Sequence, residues 1–152
     1  MNIYANRIKY ALIAGLVLSL VHSIVATAED IPVTVWKSPY CGCCQGWVDY
    51  MEDNGFKVTT HNAENMNPIK QELGITDPSL HSCHTAKIGE YLIEGHVPVS
   101  DIRRLLEEKP DILGLTAPGM PSMSPGMNSI EPKDYDVLQF DKDQNTALFS
   151  RH

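Results

Sequence analysis

The sequence predicts an α/β fold, and three observations support that prediction. Residues 31–36 alternate in polarity and are rich in β-branched side chains, which is typical of a buried strand. Apolar residues at helical spacing follow this segment, and a second β-branched segment follows the helix. The later apolar segments are short and are separated by Gly and Pro. Strands and helices therefore alternate along the chain.

The first half of the predicted domain contains two strand–helix pairs. A helix is expected over residues 44–54, directly after the first strand, and Gly55 supplies its stop. A second strand over residues 56–60 and a short helix over residues 68–73 complete a β-α-β-α opening.

The next segment predicts a hairpin and a third helix. Short strands at residues 85–88 and 91–93 flank a Gly-Glu turn. A helix is expected over residues 100–109, with Ser100 as its N-cap and Pro110 after its end. The resulting order, β-α-β-α-β-β-α, is that of a thioredoxin-like domain. Such folds keep a reactive site at the first strand-to-helix turn, although fold alone establishes no activity.

The remaining chain predicts a long loop and a C-terminal β-hairpin. Residues 114–129 are rich in Gly, Pro, Ser and Met and lack apolar periodicity, which predicts irregular structure. Long ordered loops are usually functional. Strands at residues 135–140 and 147–150 bracket a polar turn at residues 141–145. This turn lacks the Gly and the closing Glu of a calcium loop, so it favours a simple hairpin turn.

The N-terminal segment predicts export. Residues 1–28 have the features of a cleaved secretory signal, because Arg7 and Lys9 precede an apolar run and an A-x-A sequence ends at Ala28. The alternative is an uncleaved anchor, but the apolar run is shorter than the ~20 residues of a membrane-spanning helix. We therefore expect residues 29–152 to form one periplasmic domain that is not attached to the membrane.

The charge of the chain excludes some classes of partner. The formal net charge is −7, whereas nucleic-acid-binding proteins usually present a basic surface to the phosphates. Nucleic acid is therefore not an expected partner. Cationic or metal-carrying partners are favoured instead.

The four cysteines are the most informative residues. Cys41, Cys43 and Cys44 crowd into the first strand-to-helix turn, and a disulfide framework explains such crowding poorly. Three neighbouring thiolates repel one another, and a bound cation relieves that repulsion. A metal centre is therefore the preferred interpretation. The alternative is a thiol–disulfide oxidoreductase that uses the C-x-x-C pair Cys41 and Cys44.

A fourth cysteine is expected to complete the site. Cys83 lies directly before a predicted strand, in a loop that would face the first turn of a thioredoxin-like domain. The alternative is an inert buried thiol, which is common for this residue type. His84 and His81 are weaker candidates, because a hydrogen-bonded structural role is at least as frequent for a histidine. His96 stays open between a ligand, a supporting residue and a turn residue.

The sulfur chemistry favours Cu(I). Zinc sites usually have two separated Cys or His pairs, and the second half of this chain offers only Cys83 and its neighbour. A zinc-stabilised interaction module is nevertheless a third alternative. Met120, Met123 and Met127 strengthen the preference for copper, because thioethers bind Cu(I) and cannot form disulfides. The other role for these methionines is to fill gaps in a core.

Six segments of the chain occur together in a characteristic order. They are residues 37–44 (KSPYCGCC), 82–86 (SCHTA), 94–98 (EGHVP), 101–106 (DIRRLL), 118–121 (PGMP) and 124–127 (SPGM). In these segments the chain resembles a family of small periplasmic metal-binding proteins that includes the CopG-type copper-resistance proteins, and the resemblance covers nearly the whole mature chain.

The resemblance implies a thioredoxin-like fold and a Cu(I) site built on the C-x-C-C cysteines and the later Cys, for which a multinuclear copper–sulfur cluster is one expected form. It also implies a role in copper tolerance, for which conversion between Cu(I) and Cu(II) is one expected form. The partners implied are copper ions and other periplasmic copper carriers or efflux components. The implied ligands are Cys41, Cys43, Cys44 and Cys83, followed by His84, Met120 and Met127. Met123 and Asn128 depart from the small residue and the acid expected there, and both lie in the Met-containing loop over residues 114–129, the methionine loop.

Overall fold

The computed structural model describes residues 30–127, 129 and 131–152, so the predicted signal segment at residues 1–28 lies outside the described residues. The strands in the described ranges are β1 (Ile31–Lys37), β2 (Phe56–Asn62), β3 (His84–Ile88), β4 (Tyr91–Glu94), β5 (Gly114–Thr116), β6 (Asp136–Phe140) and β7 (Thr146–Arg151). The helices there are α1 (Gly42–Asp53), α2 (Asn67–Leu73) and α3 (Val99–Glu108), with a 3-10 turn at Pro78–Leu80.

All seven strands belong to one mixed sheet with the order β2-β1-β3-β4-β5-β6-β7. The β1–β2 and β4–β5 pairs are parallel, and the other neighbouring pairs are antiparallel. The α/β class predicted from the sequence is confirmed. The predicted C-terminal hairpin is present as β6 and β7, with the polar turn between them.

Helix α1 begins earlier than its apolar pattern predicts. Its N-cap is Cys41, whose sulfur accepts a hydrogen bond from the backbone N–H of Cys44 at 3.3 Å. A sulfur can therefore take the capping role that Ser or Asp usually fills. Trp47, Val48 and Met51 then bury one face of the helix against the sheet. This packing fixes the direction of the first turn, which carries the cysteines.

Two sequence predictions in the second half are wrong. Ser100 does not cap helix α3, because the helix begins at Val99 after Pro98 and Ser100 is already helical. The segment over residues 114–129 is not irregular throughout, because its first three residues form β5. A three-residue strand is too short to show alternation, but Leu115 is fully buried and the strand extends the sheet beside β4.

The largest core cluster fills the space between the sheet and helices α1 and α3. Trp47 lies fully buried in it, and its indole N–H donates to the Val97 carbonyl at 2.9 Å. This hydrogen bond connects α1 to the loop after β4.

Within residues 30–127, 129 and 131–152, no helix has the length and apolar character needed to cross a bilayer.

Candidate metal centre

The strand register brings the distant fourth cysteine to the first turn. Strands β1 and β3 are antiparallel, and Lys37 at the end of β1 pairs with His84 at the start of β3. The residues just outside this pair, the Cys41 turn and Cys83, therefore meet at the same edge of the sheet. The sulfur atoms of Cys41, Cys43, Cys44 and Cys83 all lie within 4.8 Å of one another.

The four sulfurs are not in the same oxidation state. Cys41 and Cys44 form a disulfide, whereas Cys43 and Cys83 are free thiols. The Cys43 sulfur is 3.5 Å from that of Cys41. Four thiolates become available only after two electrons reduce the disulfide. The same disulfide at a helix N-terminus is the arrangement of a dithiol exchange site.

The Cys83 thiol lies in an environment that disfavours its ionised form. Burial, with a smaller contribution from neighbouring Cys43, raises the pKa of Cys83 to about 11. A metal ion would reverse this preference, because a bound cation stabilises the thiolate and displaces its proton.

Alkylation of Cys83 tests this environment. In a Cys43→Ser protein with the disulfide intact, Cys83 is the only thiol. Its reaction with iodoacetamide should be slow and should accelerate roughly tenfold per pH unit from about pH 7 to 9, because only the thiolate reacts. The same protein unfolded in urea is the control and should react faster at each pH. Equal rates in the folded and unfolded proteins would contradict the raised pKa.

Two buried histidines adjoin Cys83. The Cys83 sulfur is 3.3 Å from Nδ1 of His84 and 3.1 Å from Nε2 of His96. Both imidazoles are fully buried, and the His84 ring packs between those of Trp47 and His96. Burial lowers the pKa of both histidines, so both rings are neutral at neutral pH and able to bind a metal ion.

The methionine loop lies against the cysteine helix and the Cys83 loop through its backbone. Gly126 packs directly on the first turns of α1. At the other end of the loop, the Gly119 N–H donates to the His81 carbonyl at 3.1 Å. Met120 follows Gly119, and its side chain is 60% exposed. Met127 lines an open cleft on α1 with Gly46. The loop therefore contacts the site through its own backbone atoms.

A buried ion pair beside the site was not predicted from the sequence. Lys70 of α2 meets Glu94 of β4, and both side chains are almost completely buried. Lys70 also donates to Thr85 Oγ1 at 2.9 Å, and Glu94 accepts from the Ser82 N–H at 2.6 Å. Burial raises the pKa of Glu94, and the neighbouring Lys70 ammonium opposes that effect. Glu94 thus fixes the backbone immediately before Cys83.

A Ser–His–Asp group elsewhere is a structural contact. Nε2 of His152 lies 2.8 Å from Asp101 Oδ2 and 3.0 Å from Ser150 Oγ. A nucleophilic triad instead uses the two ring nitrogens separately, one for the hydroxyl and one for the carboxylate. Ser150 Oγ donates to the same carboxylate oxygen at 2.5 Å. These hydrogen bonds connect the end of β7 to Asp101 of α3.

Comparison with known proteins gives two kinds of match. A family described as "Protein of unknown function, DUF411" matches residues 80–127, which include Cys83, both buried histidines and most of the methionine loop. Two solved structures, described as "Copper resistance protein copG- Form 1" and "Copper resistance protein copG- Form 2", are each 38% identical to this chain with a TM-score of 0.74. The matches cover 82% of this chain and 98% and 99% of the two structures. No curated protein matches the chain.

Proposed function

The chain belongs to the CopG-type copper-resistance proteins, and on this premise we propose that it is an exported copper-binding protein that holds Cu(I) on a thiolate cluster. The proposed ligands are the sulfurs of Cys41, Cys43, Cys44 and Cys83. The observation that carries the proposal is the convergence of these four atoms within 4.8 Å. His84, Met120 and Met127 are proposed as further ligands from the same resemblance.

The chemistry of the sulfurs supports a soft monovalent ion. Reduction of the Cys41–Cys44 disulfide by two electrons gives two thiolates, and Cys43 and Cys83 provide two more after they lose their protons. Several anionic sulfurs so close together need several positive charges, which Cu(I) ions supply while accepting sulfur ligands. Each ion that is later oxidised to Cu(II) gives one electron to an external acceptor. Conversion between the two copper states is therefore part of the proposed role.

The N-terminal sequence pattern, the strand order and the net charge support the proposed location, fold and partners. We assign residues 1–28 to a cleaved signal for export to the periplasm, on the sequence pattern described above. The order β2-β1-β3-β4, with β2 parallel to β1 and β3 antiparallel to β1, supports a thioredoxin-like core. The acidic chain favours cationic, copper-loaded carriers or efflux components as partners.

Anaerobic titration with Cu(I) tests the proposed function. The fully reduced mature protein should bind at least one copper ion tightly per chain. Cys43→Ser and Cys83→Ser should each lower the copper stoichiometry, because each removes one of the converging sulfurs. His61→Asn is the control, because His61 lies exposed on β2 and should leave the stoichiometry unchanged. Less than one tightly bound copper per chain would overturn the proposal.

A thiol–disulfide oxidoreductase is the second candidate, and the Cys41–Cys44 disulfide at the start of α1 favours it. This candidate uses only those two cysteines. Cys43→Ser and Cys83→Ser should then retain the ability to reduce insulin disulfides, whereas Cys41→Ser should abolish it. The same variants therefore separate the two functions, because only the full Cu(I) stoichiometry requires all four sulfurs.

A further inference from the structure

Strand β2 lies at one end of the sheet and has an unpaired outer edge. Among the described residues it pairs with β1 alone, and the β1–β2 register continues without a break over all seven residues of β2. The backbone N–H and C=O groups on the other side of β2 have no hydrogen-bond partner in the described part of the chain. An exposed row of such groups can bind another extended segment.

Strand β7, at the opposite end of the sheet, is protected against such pairing. The register of β7 with β6 shifts between Leu148 and Ser150. The Phe149 carbonyl also accepts a hydrogen bond from Arg104 of α3 at 2.7 Å. Bulges and covering side chains are common ways to block an edge strand. Within the described residues β2 has neither, so β2 is the open edge of this sheet.

The side chains beside the β2 edge form a basic face on the side of the sheet away from α1. The residues of this basic face are Lys57, Thr59 and His61 of β2, Thr34 and Trp36 of β1, and Lys87 of β3. Both lysines are exposed, and the His61 ring stacks on Trp36 with 5.9 Å between the ring centroids. No acidic residue of these three strands lies on this face. The basic face therefore favours an anionic partner, although the formal net charge of the chain is −7.

We propose that β2 binds an extended, acidic segment of a partner protein, which adds to the sheet as an eighth strand. Successive side chains of a strand point to opposite faces, so alternate residues of the segment would lie beside Lys57 and His61. The intervening residues would lie on the other face, beside Val58, which is half-buried against the core. The segment therefore alternates acidic and apolar residues. Main-chain hydrogen bonds supply the affinity, and these side chains supply the selectivity.

A second copy of the chain fits this edge less well. Two antiparallel β2 strands with the greatest overlap would place Lys57 of one copy opposite His61 of the other. This register gives the lysine no anionic partner, whereas an acidic segment does. The inference goes beyond the proposed function, since it uses no residue of the four-sulfur group.

A peptide of alternating Glu and Val residues tests the proposal on the mature protein with its disulfide intact. The peptide has seven residues, the length of β2, and both of its termini are blocked. It should bind, and the β2 amides that do not donate to β1 should exchange more slowly with deuterium at saturation, as measured by NMR. A peptide of the same composition with contiguous Glu residues is the control for charge alone, and it should bind more weakly.

Lys57→Glu should weaken binding of the alternating peptide by about 3–10-fold, because it converts attractive cross-strand pairs into repulsive ones. Lys142→Glu is the matched control, since it makes the same charge change at an exposed position in the β6–β7 turn. This control should bind the peptide as the parent does. Neither variant should change the Cu(I) stoichiometry.

Several outcomes would overturn the proposal. They are unchanged exchange of the β2 amides, equal binding of the two peptides, and equal weakening by Lys57→Glu and Lys142→Glu. A dimer of the free protein with protected β2 amides would also overturn it, by assigning the edge to a second copy. Binding to phosphatidylglycerol vesicles in place of the peptide would overturn it by assigning the basic face to a membrane surface. These results are independent of the Cu(I) titration, which tests the proposed function alone.

Discussion

Glu94→Gln is expected to lower the free energy of unfolding by about 3–5 kcal/mol, because it leaves the buried Lys70 ammonium without its anionic partner. Both side chains of the pair are at most 2% exposed, so water cannot replace the lost partner. Glu94 also accepts from the Thr85 hydroxyl at 2.6 Å. Urea denaturation of the metal-free protein measures the effect.

An exposed ion pair gives the matched control. Arg151 and Asp136 lie 2.7 Å apart, but their side chains are 71% and 41% exposed. Asp136→Asn should therefore cost at most about 1 kcal/mol. A double variant, Lys70→Met with Glu94→Gln, should recover part of the stability, because no unpaired charge is then buried. Equal losses of unfolding free energy in Glu94→Gln and Asp136→Asn would contradict the expectation that the buried pair contributes more to stability than the exposed pair.

Glu94→Gln should also affect the proposed copper site. Glu94 accepts a hydrogen bond from the Ser82 backbone N–H, and Ser82 precedes Cys83. The substitution replaces this charged acceptor with a neutral amide, which should hold the Cys83 sulfur less firmly near the other three. The ion pair thus links packing between α2 and β4 to the geometry of the sulfurs.

Local patterns predicted the cysteine turn because the relevant information is contiguous. The β-branched segment that became β1, the apolar face of α1 and the cysteines between them lie within about one strand–helix unit. The hairpins were predictable for the same reason. The predicted starts of the helices were less accurate. Cys41 caps α1 where Ser or Asp is usual, and the N-cap of α3 is Pro98 and not Ser100.

Partners that are distant in sequence were not predictable from pattern. Lys70 and Glu94 each look like ordinary charged residues, and only the packing of α2 on β4 buries both. The orientation of His96 likewise depends on the carbonyl of Pro125, which lies in a loop without periodicity. The proximity of Cys83 to the first turn was expected only through an assumed fold. The β1–β3 register gives that proximity its physical cause.

Gly126→Ala is expected to separate the methionine loop from α1. Gly126 has a φ of +84°, and an added Cβ would lie 2.8 Å from the Cys43 carbonyl oxygen and closer still to the Trp47 backbone nitrogen. These two atoms belong to the backbone of helix α1, which cannot move aside as a flexible side chain could. Left-handed strain and overpacking together should cost about 2–5 kcal/mol.

Gly119→Ala separates the two causes of that loss. Gly119 has a similar φ of +70°, but an added Cβ there would meet no atom within 4 Å among the described residues. It should therefore cost only the left-handed strain, about 1–2 kcal/mol. Displacement of Gly126 should also disturb the turn of α1 that carries Cys43 and weaken Cu(I) binding by the reduced protein, which Gly119→Ala should leave intact. Urea denaturation measures the first effect, and anaerobic Cu(I) titration measures the second. Equal results for the two alanine variants would mean that close packing of the loop on α1 does not position the site.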